Sequence, residues 1–123
     1  MISFEHFTME DGVPIYLQIL RFVKREAVAG VILDGDELPS RRVLSALLGV
    51  NPNTVQKAYR MLEEEDLIVS HAGAASVVKL DGKKLMSLRA ELVQADAMSA
   101  VRSLQQMGLS KAEVLALIEK LWE

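Results

Sequence analysis

Between Pro39 and Asp66 the chain is punctuated so closely that it can hold only short helices in quick succession. Pro39 forbids continuation of what precedes it, because its ring removes an N–H and clashes with a preceding turn. Ser40 offers a hydroxyl to the orphan N–H groups of a helix start, and Gly49 can take the left-handed conformation that ends a helix. Asn51 offers a second cap, with Pro52 pre-set for the first helical position. This spacing predicts a helix from Ser40 to about Leu48 with Val43, Leu44, Leu47 and Leu48 inward. A second follows from Asn51, with Val55, Ala58, Tyr59 and Leu62 as its apolar stripe. Two short helices joined by a tight glycine-containing turn form a helix-turn-helix.

The flanks complete the fold class. Residues 1–13 read as an irregular arm, and Pro14 then opens a helix. Tyr16, Ile19, Leu20, Val23 and Ala27 keep helical rhythm in it, and Gly30 is a plausible stop. Asp34-Gly35-Asp36 signals a turn. Leu67–Ser70 and Ser76–Leu80 are β-prone runs joined by His71–Ala75, where Gly73 supplies freedom for positive φ; together they predict a hairpin, or wing. From Asp81 the chain turns helical again. Gly108 interrupts this helix, and Ser110 with Glu113 forms a capping box for the last one. The expected fold is mainly α with a small β-hairpin. A winged helix-turn-helix domain occupies residues 1–80, and a C-terminal helical dimerisation tail occupies 81–123.

Composition narrows the function. With no cysteine, disulfides, thiolate metal sites and cysteine nucleophiles are excluded. The start of the chain does not read as a signal peptide, and no apolar run approaches the length of a membrane span, so the expectation is a cytoplasmic protein. The net charge of -3 argues at first against nucleic acid. Its distribution argues the other way: Leu38–Leu62 holds Arg41, Arg42, Lys57 and Arg60 and no acid, so this segment is +4 and the rest -7. A local basic face on an acidic chain is a usable electrostatic footprint.

In a helix-turn-helix the second helix enters the major groove and lays its N-terminal residues on base edges. Here that stretch is NPNTVQK, in which Asn53 and Gln56 can pair bidentately with adenine and Lys57 can reach guanine. Arg41 and Arg42 stand where they could grip phosphates. The apolar stripe through Leu85, Leu88, Leu92, Met98, Val101 and Leu104, with Leu121 and Trp122 beyond it, is the natural dimer element.

These residues resemble the GntR family of bacterial transcription regulators, specifically its short YtrA-type members. The resemblance rests on PIYLQIL, on GDELPSRRVLSALLGVNPNTVQKAYRMLEEEDLI, and on the short two-helix tail, and covers nearly the whole chain. It implies a three-helix winged fold and a homodimer on double-stranded DNA with two half-sites. It also places Ser40, Arg41 and Arg42 in the motif whose arginine contacts DNA. By the same resemblance Asn51, Asn53 and Thr54 start the recognition helix, Lys57 lies one turn on, and Gly73 marks the wing tip. Repression is the habit of that family. One departure is the wing: where members carry a basic stretch resembling RRGKGTFV, this chain has SHAGAASVV, with Ala72, Ala74 and Ala75 around Gly73. Weaker wing contacts are therefore expected, with His71 a surface residue or a phosphate contact beside Gly73, and with affinity resting more on the recognition helix and on Arg41 and Arg42.

Other signals point away from chemistry. His6 and His71 lack a triad or metal context, no cofactor is expected, and no nucleophile–base pair suggests an enzyme. The Glu63–Asp66 acids read as a solvated face that repels DNA and so orients the domain. A two-helix tail is too small to enclose an effector, so any effector site is expected at the dimer interface. The rival reading is a winged-helix protein-interaction module that has lost DNA binding. The alanine-rich wing favours that reading, and the retained Asn53, Thr54 and Lys57 oppose it.

Overall fold

A computed structural model describes residues 1–71 and 75–123. The elements are α1 (Ile15–Val28), α2 (Arg41–Leu48), α3 (Pro52–Glu64), β1 (Ile68–Val69), β2 (Val77–Val78), α4 (Gly82–Gln106) and α5 (Lys111–Leu121). The punctuation acts as its chemistry dictates. Ser40 Oγ accepts from the Val43 N–H at 3.1 Å, and Asn51 Oδ1 accepts from the Asn53 N–H at 2.8 Å. Gly49 sits at φ 67°, where a Cβ would be strained. Ser40→Ala should lower stability by about 1 kcal/mol in denaturant unfolding, since the Val43 N–H loses its acceptor.

The chain divides into two compact units, Met1–Leu88 and Arg89–Glu123. The division falls later than the 80/81 boundary expected from sequence. Its cause is local: Lys84 Nζ pairs with Asp66 at 2.9 Å and Leu88 is buried, so the first turns of α4 belong to the N-terminal unit.

In that unit α3 packs between α1 and α2. Val55, Ala58, Tyr59 and Leu62 are wholly buried, as are Ile19 of α1, Leu44 of α2 and Leu38 before it. Each such aliphatic side chain contributes about 1.5–3 kcal/mol through removal from water. The stripe expected on α2 is narrower than its sequence suggests. Leu44 is buried, but Val43 and Leu47 are exposed, because eight residues make barely two turns and present one inward row. Tyr16 is half-buried rather than core.

β1 and β2 pair antiparallel, Ile68 with Val78 and Val69 with Val77. The segment before α2 extends this sheet. Leu38 N donates to Ser76 O at 2.9 Å, Val78 N donates to Asp36 O at 2.8 Å, and Glu37 bridges Val77. The base of the wing is thereby fixed to the entry of the helix-turn-helix. The expected tip at Gly73, with Ala72 and Ala74, lies outside the described residues.

The arm is irregular, yet it is docked. Ile2 and Phe4 are buried, and Phe4, Phe7 and Phe22 pack ring against ring with centroids 4.9–6.0 Å apart, Phe7 edge-on to the other two. The Gln18 amide clips the arm to α1, accepting from the Glu10 N–H and donating to the Glu10 and Val13 carbonyls at 2.8–3.0 Å.

In the second unit Gly108 turns the chain at φ 86°, and Ser110 and Glu113 cap α5 reciprocally at 3.2 Å. Among the described residues no helix is long and apolar enough to cross a membrane.

Candidate nucleic-acid interface

A helix that buries residues 55, 58, 59 and 62 presents residues 53, 56, 57 and 60 on its opposite side, by the 3.6-residue period. The structure follows that rule: Asn53, Gln56, Lys57 and Arg60 are all exposed, and Thr54 is half-buried at the edge. Two amides and two cations thus share one outward face beginning at the helix N-terminus, where unsatisfied N–H groups and the helix dipole favour anions.

The turn that aims this face is held by a residue sequence reasoning passed over. Buried Ser45 donates from its hydroxyl to Val50 O, and Val50 N donates back to Ser45 O at 3.1 Å. A serine among apolar helix positions was the available signal, since a buried hydroxyl needs a partner.

The candidate residues separate by role. Ser40 and Asn51 each have a side-chain oxygen engaged in capping. Arg42 is exposed at the first turn of α2, with no ion pair among the described residues. Arg41, its neighbour, is turned to protein: its Nη2 lies 3.0 Å from Glu63 Oε1, and its guanidinium carbon is 5.0 Å from the centre of the Tyr59 ring. Lys57 Nζ rests 4.0 Å over the Tyr16 ring, which restricts a flexible side chain without neutralising it. Arg60 lies 3.9 Å from Glu64, and both side chains are largely exposed, so the pairing is weak. His71 is exposed just beyond β1.

The acidic run is solvated as expected at Glu64, Glu65 and Asp66, but its charges are also ion-paired, which the sequence did not indicate. Glu63 meets Arg41, Glu64 meets Arg60, Glu65 meets Lys24 at 2.6 Å, and Asp66 meets Lys79 and Lys84. Consecutive acids at a helix end point in four directions, so each reaches a different neighbour. The hydrogen bond from Lys84, aided by the charges of Lys79 and Lys84, holds the Asp66 carboxyl below its ordinary range. Among the described residues no three metal-ligating side chains cluster.

The tail residues expected at a dimer contact divide similarly. Met98, Val101, Leu121 and Trp122 are exposed, Trp122 by 80%. Leu85, Leu92 and Leu104 are half-buried. Leu88 does not fit the expected set, because the N-terminal unit already covers it.

Comparison with known proteins agrees with this architecture. The pattern defining "Bacterial regulatory proteins, gntR family" matches residues 15–78. The HTH-type transcriptional repressor YtrA of Bacillus subtilis (strain 168) is 38% identical over 73 residues, 59% of this chain and 56% of that protein. This chain therefore matches little more than half the length of that relative. A GntR family transcriptional regulator from Listeria monocytogenes superposes with a TM-score of 0.81 at 30% identity, covering 92% of this chain and 99% of that one. The DNA-binding domain of AraR, solved in complex with operator ORX1, has a TM-score of 0.51 at 27% identity, over 58% of this chain and 86% of that one.

Proposed function

The chain belongs to the gntR family of bacterial regulatory proteins, and we propose that it is a DNA-binding transcriptional regulator that represses by occupying a two-half-site operator as a cytoplasmic homodimer. The observation that carries this reading is the exposed face of α3, where Asn53, Gln56, Lys57 and Arg60 stand on the side opposite the wholly buried Val55, Ala58, Tyr59 and Leu62. Asn53 and Gln56 read base edges, with Thr54 at the margin, and Lys57 reaches guanine or a phosphate. Arg42 grips the backbone beside the α2 start and Arg60 grips it two turns along α3, while Ser40 and Asn51 act through the caps that aim the helix starts. Occupancy of a promoter suffices for repression, and the relative YtrA carries that designation.

One protomer offers a small contact, and a second copy doubles it and imposes a half-site spacing. The tail supports such pairing. Val93, Ala97, Met98 and Val101 line a groove of about 520 Å³ along α4 between Arg89 and Arg102. Leu115, Ile118, Leu121 and Trp122 of α5 are exposed as well. Exposed apolar side chains on both tail helices are surface that a second copy could cover. Combining Met98→Asp with Val101→Asp should convert a species of two 13.6 kDa chains into one in sedimentation velocity, since a charge buried in an apolar contact is strongly unfavourable.

The function itself is tested by fluorescence anisotropy of the full chain on its own upstream promoter and on an unrelated duplex, across a salt series. Promoter binding about 10³-fold tighter, weakening with salt, is the expected result. No binding to either duplex at low salt would overturn it.

A further inference from the structure

Arg41 and Arg42 stand side by side at the start of α2, yet the structure treats them oppositely, Arg42 exposed and Arg41 paired with Glu63. The Arg41 pose is incompletely satisfied. Its Nη2 donates to Glu63 Oε1 at 3.0 Å, but its Nε is buried with no hydrogen-bond partner among the described residues. A guanidinium carries five N–H donors, and a buried one left unmade is unfavourable.

Glu63, in contrast, does not depend on Arg41 alone. Ser70 Oγ donates to the same Glu63 Oε1 at 2.6 Å, and the Ser70 and Ser76 hydroxyls are 2.7 Å apart. If Arg41 leaves, the carboxylate stays hydrogen-bonded to the base of the wing. The Arg41 and Glu63 side chains are 33% and 35% exposed, so separating them requires no unfolding. The start of α2, where Arg41 sits, is also an end of a helix that favours an anion.

We infer that Glu63 is an internal competitor for DNA: Arg41 is held by Glu63 in the free protein and exchanges onto a backbone phosphate in the complex, so Glu63 sets affinity without touching DNA. The inference rests on the proposed DNA-binding function and adds to it a positioning residue outside the contact face. Two adjacent arginines then differ in kind. Arg42 is always available, whereas Arg41 is released only where a phosphate outbids a carboxylate, a penalty that falls on every encounter with DNA.

The test is a double-mutant cycle on the full chain, with Glu63→Gln, Arg41→Gln and the combination, bound to promoter and unrelated duplex across a salt series. Glutamine at 63 keeps an acceptor for Ser70 and removes the charge. Glu63→Gln should tighten binding to both duplexes by roughly 1.4- to 5-fold per protomer, the strength of a partly exposed ion pair. It should leave the salt slope unchanged, because the same phosphates are neutralised at the end. Arg41→Gln should flatten log K against log salt by about 0.9 per protomer. In the Arg41→Gln background, Glu63→Gln should change nothing. Thermal unfolding by circular dichroism separates misfolded variants from these effects. An unchanged slope in Arg41→Gln would show that Arg41 stays with Glu63 on DNA, and an equal gain from Glu63→Gln with and without Arg41 would reduce Glu63 to a general negative charge; either overturns the exchange. Failure of the unmodified protein to bind either duplex would instead remove the DNA-binding reading on which the exchange depends.

Discussion

Replacing Tyr59 by alanine should lower stability by about 3–5 kcal/mol, the range for truncating a large buried aromatic. The Tyr59 ring is wholly buried among the α1–α3 contacts, and its hydroxyl donates to Pro39 O at 2.6 Å, the carbonyl just before the α2 cap. Arg41 lies over the same ring. Tyr59→Phe keeps the packing and orphans the carbonyl, so it should lower stability by about 1–3 kcal/mol. The two variants, measured by denaturant unfolding, separate the ring from the hydroxyl. A pH series adds a third test. Burial pushes the Tyr59 hydroxyl well above the ordinary tyrosine range, against the opposing charge of Arg41. A folded-state pKa raised in this way leaves the hydroxyl's contribution intact below the unfolded value, about 10, and removes it progressively above that. Alkaline destabilisation should therefore be shallower in Tyr59→Phe than in the unmodified chain. Equal pH profiles would show that another group governs the alkaline limb.

The elements legible in the sequence are those whose ends are chemically marked. Ser40, Gly49, Asn51, Gly108 and Ser110 each act locally, through a cap or a positive φ, so neighbours in sequence suffice to read them. The α3 stripe was legible for a related reason: thirteen residues complete enough turns for a 3.6 period to emerge. On α2, eight residues do not, and Val43 and Leu47 count as apolar while facing outward. The docked arm was hidden because its anchors, Phe4 and Phe7, meet Phe22, a distant residue that no local pattern pairs with them. The addition of residues 36–38 to the sheet was hidden by backbone bonds to Ser76 and Val78, which no side-chain pattern announces.

The site was legible to the same degree. Residue types and helical phase put Asn53, Gln56, Lys57 and Arg60 on one side without a structure. What the sequence could not tell was how the charges pair. Arg41 and Arg42 are identical in type and adjacent, and the partner that divides them lies 22 positions away at Glu63. The four consecutive acids read as one negative block, whereas in space each meets its own cation. Of the four cations counted in the sequence footprint, Arg41 is offset by Glu63, whereas Arg42 and Lys57 form no ion pair among the described residues.

The second large effect concerns recognition. Asn53→Ala combined with Gln56→Ala should weaken promoter binding by about a hundredfold or more, since a good bidentate amide–base pair contributes about 1–3 kcal/mol of discrimination. Both side chains are exposed on α3, one turn apart, and neither supports the core, so folding should be unaffected. The Asn51 cap bonds the Asn53 backbone N–H rather than its side chain, so truncation leaves the helix start intact. Affinity for an unrelated duplex should hardly change, because amides neutralise no phosphate. Arg42→Ala should do the reverse. It should weaken binding to both duplexes alike and flatten the salt slope by about 0.9 per protomer, leaving their ratio near that of the unmodified chain. Anisotropy titrations of both variants on both duplexes measure all four quantities. If the amide variant weakened both duplexes equally, α3 would not be reading bases, and specificity would have to come from DNA shape. The contrast matters because Lys57, braced over Tyr16, could serve either purpose. A protein that loses discrimination with the amides and affinity with the arginine would divide the two tasks between the α3 amides and Arg42 of α2.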